Sequence, residues 1–533
     1  MSIQQTLDQY AQNRKGAFFY GEKDKKKIFR ESGSSNSSGD SFSPETLYSW
    51  GSVSKLLTGL VCTMMMERGY IKATDTLFSI APDVFYGKGT YFTGITVTNQ
   101  ALFPQPGSYT STIGTFSWET VTIGQLLQFS IGLPDDIFFL TSFAFSYFTN
   151  PASVQKVVQT NNVQGLGSLI QFYTCYKAML DGTPLTPICK VYSASSTVAE
   201  ALCSGVADVV KLNRDGVLPA LFPPGSYLVD ALPYEVRRYN TMYDISYFFL
   251  GKILDMALPQ YGFSNYADFA QKNIFDPLHM TRSYILFQQN LPEDNINTTD
   301  DSWRRSPSLG LTAITVPDVI PTWLGYQCAQ GYRAIAGTSG PGPLVWDSDF
   351  AEDGNSRVIS GIFYNRTAIP GCTPLGNAPL VSSIQDMGKL LRFVAKSLYP
   401  SKCPGPTPLG WKSESAGFFL SPKVQGVNGG VPQAPYPLTL ESYNNVSFCM
   451  GFNRVNRDLS NNAEYGFDEN TLTFVGVTGA TFYINLKTYT WFVYGINESF
   501  LSSGNLPIPG IGSTPSSLSI TSTFLVALLQ ESS

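Results

Sequence analysis

"YSWGSVSKLLTGLVCTMMMERGY", residues 48–70, sets a serine and a lysine, Ser52 and Lys55, three positions apart at the front of a long apolar run. The run is expected to form a buried helix that ends near Gly69, where a glycine and a turn cluster follow. A lysine facing such a core must be neutralised, paired or put to use, because an unpaired ammonium out of water is costly. Three uses are open: surface decoration, a structural ion pair, or activation of the serine. At i and i+3 on a helix the two side chains share a face. At a helix N-terminus the dipole and the free backbone N–H groups favour negative charge developing on the serine oxygen. A desolvated lysine there loses its preference for the protonated form and acts as a base. That is nucleophilic catalysis without histidine.

The histidine count sharpens the point. With His279 alone in the chain, a His-centred metal site is unexpected, and the scattered cysteines do not replace it. A Ser-His-Asp triad would have to use His279, yet no GxSxG elbow accompanies it, and "NIFDPLHMTRS" reads as the packing site of a core histidine. A second SxxK match, Ser153 to Lys156 in "PASVQKVVQTNN", lacks the apolar helix that follows Lys55 and is read as a surface occurrence.

Composition limits the partners. The 533 residues are 43% hydrophobic and 14% charged, with a net charge of -5, which describes a folded chain and excludes a nucleic-acid footprint. No apolar stretch approaches the roughly 20 residues that cross a bilayer. "MSIQQTLDQYAQNRKG" lacks the charged start and apolar middle of a secretory signal and is expected to be an amphipathic helix of the fold. The expectation is a soluble chain, with the cytoplasm favoured by the missing signal. The eight cysteines include no CxxC, and sequons stand at Asn36, Asn297, Asn365, Asn445 and Asn497; in a chain this rich in Asn, Ser and Thr they leave the compartment open.

Along the chain, "GAFFYGEKDKKKIFRESG" reads as a hairpin with a charged turn. "SWETVTIGQLLQFSIGLPDD" reads as a short helix stopped by Gly132 and Pro134. From about 137 to 220 an aromatic-rich stretch carries helical patterns. A helix enters near Tyr243, and residues 287–380 are rich in Pro, Gly, Asn and Asp, as in long loops with short strands. "LVSSIQDMGKLLRFVAKSLYP" is a helix with Ser383 and Asp386 in its first turn. "VSFCMGFNRVN", "TLTFVGVTGATFYINL" and "YTWFVYGIN" alternate like antiparallel strands, and a terminal helix follows. Strands at both ends imply one sheet closed by the two ends of the chain. The expected organisation is 1–51 as the N-terminal part of an α/β domain, 52–380 as the nucleophile helix with a mostly helical region and long insertions, and 381–533 as the C-terminal part of the domain.

"TLYSWGSVSKLLTGL" resembles the nucleophile segment of the serine β-lactamase and penicillin-binding-protein superfamily, in particular its class C β-lactamase-like branch of esterases and D-aminopeptidases. Further along, "VTIGQLLQFSIGLPDD" resembles that family's "TIRxLLTHTSGLPD", "LFPPGS" its PPG stretch, "NIFDPLHMTRS" its "IFxPLGMxxT" and "LVSSIQDMGKLL" its "SSxxDMxxFL". "FVGVTGAT" resembles the strand with the KTG or HTG box. The order of these motifs carries the resemblance over most of the chain. It implies the β-lactamase/transpeptidase-like α/β (α+β) fold, an antiparallel sheet flanked by helices, with no metal and no organic cofactor.

Residue by residue, the resemblance implies Ser52 as nucleophile and Lys55 as general base. "YDISYFFLG" implies Tyr243 as the tyrosine of the second motif, with Ile245 where the lactamases have Asn; Tyr239 in "RYNTMY" competes but stands too far from Leu250-Gly251. The third box reads Val477-Thr478-Gly479, with valine at the cationic or polar position. The oxyanion hole is implied at the backbone N–H groups of Ser52 and Ala480. An apolar Val477 removes a charge-assisted partner for a substrate carboxylate, and Ile245 removes an amide. Neutral esters, amides or peptide-like small molecules are therefore expected ahead of penicillins, with β-lactamase or D-aminopeptidase activity still open. The other reading is a β-lactamase-fold binding or structural protein without catalysis.

Overall fold

The computed structural model describes residues 1–12, 16–35, 39–93, 112–128, 130–133, 210–211, 213–216, 220, 223–225, 244–285, 332–337, 340–346, 380–398, 413–421, 446–455, 467–475, 480–496 and 517–531. The second SxxK match, the five sequon asparagines and nearly all of the 137–220 stretch lie outside these residues.

A seven-stranded antiparallel sheet organises the molecule. From edge to edge its strands are Val446–Phe448, Asn453–Val455, Thr471–Val475, Thr481–Asn485, Thr490–Ile496, Gly16–Lys23 and Lys26–Gly33. The chain ends meet inside it: Phe18 pairs with Gly495 and Tyr20 with Val493. The hairpin expected at the N-terminus forms, and Asp24 and Lys25 at its tip take positive φ.

Strand Gly16–Lys23 explains why "GAFFYG" is a run rather than an alternation. Successive side chains point to opposite faces, and here both faces are covered, so all of them are buried. Phe18 and Tyr20 join the large core shared with the Lys55 helix. Ala17 and Phe19 join a second core with Ile3 and Leu7 of the N-terminal helix and Phe524 and Leu528 of the C-terminal one. The N-terminal helix, Ile3–Ala11, is amphipathic as expected and opens with a capping box between Ser2 and Gln5. The two terminal helices are also joined, through Glu531, which accepts from the Ile3 N–H at 2.7 Å.

On the other face lie the helices Lys55–Glu67, Asp244–Ala257 and Ile384–Leu398. A small sheet of Leu47–Ser49, Leu380–Ser383 and Ser283–Ile285 stands beside them, and two-stranded hairpins pair Lys88–Thr93 with Thr112–Ser117 and Tyr332–Gly337 with Gly340–Trp346. The helix from Ile123 ends at Leu127, earlier than Gly132 and Pro134 suggest, after a capping box between Thr122 and Gln125. Among the described residues no helix is long and apolar enough to cross a membrane.

His279 corrects one expectation. It is exposed, with φ of 53°, where the chain leaves the π-helical turn Gln271–Phe275. A left-handed residue at the end of a helical element sits at the surface, and its neighbour Met280 fills the core instead. Its carbonyl accepts from Lys389 Nζ.

Candidate active site

Ser52 does not open the α-helix. It lies in a 3-10 turn, Gly51–Ser54, and the α-helix begins at Lys55 itself. Gly51, at φ of 51°, lets the chain bend sharply between strand Leu47–Ser49 and this turn. A three-residue repeat brings i and i+3 into register more closely than an α-helix does. The result is direct contact: Lys55 Nζ donates to Ser52 Oγ at 2.8 Å. Lys55 is 1% exposed and Ser52 8%, so the contact is made almost out of water. The Lys55 N–H bonds back to the carbonyls of Ser52 and Val53, which fixes the two residues to one another.

Four contacts hold the turn in place. The Trp50 N–H donates to Leu380 O at 3.1 Å, Leu380 N–H donates to Ser54 Oγ at 3.1 Å, and Trp50 Nε1 donates to Ser382 Oγ at 2.7 Å. The fourth is backbone against backbone. The segment Cys449–Phe452 crosses the helix so closely that a Cβ on Gly451 would lie 1.9 Å from Lys55 O, and one on Gly59 would lie 2.0 Å from Met450 O. Gly451 also has φ of 84°, a conformation that glycine adopts without a Cβ penalty.

The motifs that are distant in sequence touch here. Strand Leu380–Ser383 of "LVSSIQDM" supports the serine turn as described and pairs Ser382 with Ser283. Asp386, buried, accepts from Arg282 N–H at 2.8 Å and from Ser283 Oγ at 3.1 Å, which ties "HMTRS" to the same helix. Asp386 N–H is in turn capped by Ser383 Oγ at 3.1 Å, as the helix start in the sequence implies. Gly225 N–H donates to Ser130 O at 2.8 Å, joining "PPG" to "SIGLP".

Strand Thr471–Val475 packs against the serine turn, and the Phe474 ring centre is 5.9 Å from Lys55 Nζ. This residue was not singled out in the sequence; in an alternating strand an aromatic looks like any other core position. Ala480 is fully buried just before strand Thr481–Asn485, whose Thr481 pairs with Val475. Val477, Thr478 and Gly479, in the connection between these strands, lie outside the described residues, as do Tyr243 and Tyr239. Ile245 is the second residue of helix Asp244–Ala257.

The described tyrosine of that helix, Tyr247, is a core residue. It is fully buried, its ring meets Phe448 edge-on at 5.8 Å, and burial, with Cys62 and Cys449 beside it, pushes its hydroxyl well above the usual range. Tyr266 donates to or accepts from Thr58 Oγ1 at 3.0 Å, and burial pushes its hydroxyl up as well. Among the described residues no three His, Cys, Asp or Glu side chains converge as a metal site would need.

Residues 3–161 match the family model described as Beta-lactamase. Among solved structures, the LovD6 mutant of simvastatin synthase from Aspergillus terreus overlays with a TM-score of 0.53 at 14% identity, covering 99% of this chain and 94% of that one. The unliganded simvastatin synthase from Aspergillus terreus gives 0.52 at 14% identity, covering 99% and 97%. A β-lactamase/D-alanine carboxypeptidase from Pseudomonas syringae gives 0.48 at 11% identity, covering 100% and 98%. No match was found among curated proteins.

Proposed function

For a chain with the β-lactamase/transpeptidase-like fold, whose residues 3–161 match the β-lactamase family model, we propose a serine hydrolase that works through an acyl-enzyme on Ser52. One observation carries the reading: the 2.8 Å contact between Lys55 Nζ and Ser52 Oγ, two side chains that are both buried. Lys55 takes the hydroxyl proton over that distance as Ser52 Oγ attacks the substrate carbonyl. The backbone N–H groups of Ser52 and Ala480 hold the oxyanion. Tyr243 passes the proton to the leaving group, and water then attacks the ester carbonyl and releases the acid.

Substrates are neutral esters, amides or short peptide-like molecules. The support is chemical: Val477 offers a carboxylate no charge and Ile245 offers it no amide. The Phe474 wall beside Lys55 adds no cation either.

The test is turnover of a short-chain p-nitrophenyl ester and of a chromogenic cephalosporin by wild type and Ser52→Ala. Ester hydrolysis by wild type alone, with little cephalosporin turnover, is the expected outcome. Fast cephalosporin hydrolysis would overturn the substrate assignment. Ester hydrolysis undiminished in Ser52→Ala would overturn the mechanism.

A further inference from the structure

We propose that one end of the molecule, where the tip of the hairpin Gly16–Lys23 and Lys26–Gly33 meets the helix Ser517–Glu531, is a docking surface for an anionic lipid bilayer. The helix supplies the apolar half of the argument. A surface helix ordinarily turns charged side chains outward, yet this one carries none from Ser517 to Gln530. Phe524, Leu525, Ala527 and Leu528 fill the second core. Its outward positions include Val526 and Leu529, 47% and 44% exposed.

The hairpin supplies the charge. Its tip reads Lys23-Asp24-Lys25-Lys26-Lys27, four lysines and one aspartate, in a chain whose net charge is -5. Lys23 Nζ donates to Leu529 O at 3.3 Å, which sets the basic tip against the apolar end of the helix. Ile28 points into the second core, so Lys26, two positions before it, faces the terminal helices as well. Capping of a helix C-terminus accounts for Lys23 but uses none of the other three. Lys25, Lys26 and Lys27 are exposed, and among the described residues none of them is ion-paired. The carboxylates nearby do not cancel them. Asp24 lies 3.9 Å from Lys23, Glu22 is buried against Arg392, and Glu531 pairs with Arg30 at 3.6 Å. Glu31, with Asp8 beside it, stands on the order of 16 Å along the strand from Lys26. Lysines next to aliphatic side chains suit a bilayer interface: the aliphatic groups enter the headgroup boundary while the ammonium groups meet anionic headgroups. A soluble polyanion would use the lysines alone, and protein–protein contacts are usually poor in lysine.

The experiment is co-sedimentation of the full chain with vesicles of phosphatidylcholine alone and of phosphatidylcholine mixed with phosphatidylserine. Wild type is expected to pellet with the anionic vesicles and to stay in the supernatant with the neutral ones. The variant Lys25→Gln/Lys26→Gln/Lys27→Gln is expected to lose on the order of 100-fold in affinity, about fivefold per lysine. Val526→Gln/Leu529→Gln changes no charge and is expected to lose on the order of tenfold. Ile113→Gln is the control, an equally exposed residue (46%) on another hairpin, and should lose nothing. Wild type that does not pellet with the anionic vesicles overturns the proposal. Pelleting that Val526→Gln/Leu529→Gln leaves intact marks a general polyanion site and also overturns it. So does self-association without vesicle binding, seen by sedimentation velocity and removed by the same double variant, which would make the face a contact between copies. Melting temperatures check that each variant folds; should the double variant fail, Leu529→Gln alone replaces it, with an expected loss of about threefold.

Discussion

Lys55 is placed by constraints that few substitutions satisfy. Its carbonyl lies under Gly451 and its amine against Ser52. Lys55→Met keeps most of the buried stem and removes the proposed base, so labelling of Ser52 is expected to fall by about 10³-fold, measured by adduct formation over time. The melting temperature should hold or rise, since burying an ammonium costs stability that a thioether does not. Gly451→Ala tests the close crossing. Gly69 has φ of 72° with nothing near its Cβ position, so Gly69→Ala is expected to cost about 1 kcal/mol of left-handed strain alone. Gly451→Ala adds backbone overlap and is expected to cost about 3 kcal/mol or more. Thermal melts of the two variants check this: equal shifts would remove the crossing from the account. At this scale the Ser52–Lys55 pair was legible because two polar groups at i and i+3 before an uncharged run have few other uses. Phe474 and Gly451 were not, because their roles depend on which strand and which crossing meet the helix, and no local pattern encodes that.

The serine turn depends on an element far along the chain. Strand Leu380–Ser383 holds Trp50 and Ser54, and Asp386 anchors that strand by accepting from Arg282, Ser283 and Lys389. Asp386→Ala leaves the Arg282 N–H and Ser283 Oγ without this acceptor inside the fold, while Lys389 keeps the His279 carbonyl. We expect a loss of about 2 kcal/mol, since orphaned buried donors are penalised, together with slower labelling of Ser52. Unchanged stability in a thermal melt would contradict this. The helix start at Ser383 and Asp386 was readable because a serine cap followed by an acidic first turn is a local signal. The 3-10 turn at Ser52 was not: Ser-x-x-Lys fits an α-helix and a 3-10 turn equally, and the choice follows from Gly51 and from the strand that delivers the chain to it. His279 was misread for a related reason, since an apolar neighbourhood in sequence does not say which residue takes the left-handed exit.

The molecule closes its main sheet with both ends of the chain, Gly16–Lys23 against Thr490–Ile496, and covers that sheet with both terminal helices. Strand alternation near the two ends made this closure readable, whereas the order of strands across the sheet needed the structure. Contacts of such long sequence separation form late and slowly. Removing residues 517–533 would strip Phe524 and Leu528 from the core that contains Ile3, Phe19 and Tyr494. The truncated chain is expected to be recovered in the insoluble fraction, and a soluble truncation with the wild-type melting temperature would show that this second core is dispensable. The proposal that Lys55 makes Ser52 a nucleophile is tested most directly by the intact mass of the protein after exposure to a fluorophosphonate. The expected result is a single adduct on wild type, mapped by peptide sequencing to Ser52, strongly slowed in Lys55→Met and absent in Ser52→Ala. A wild-type protein whose mass does not change, or an adduct that persists in Ser52→Ala, would contradict the account.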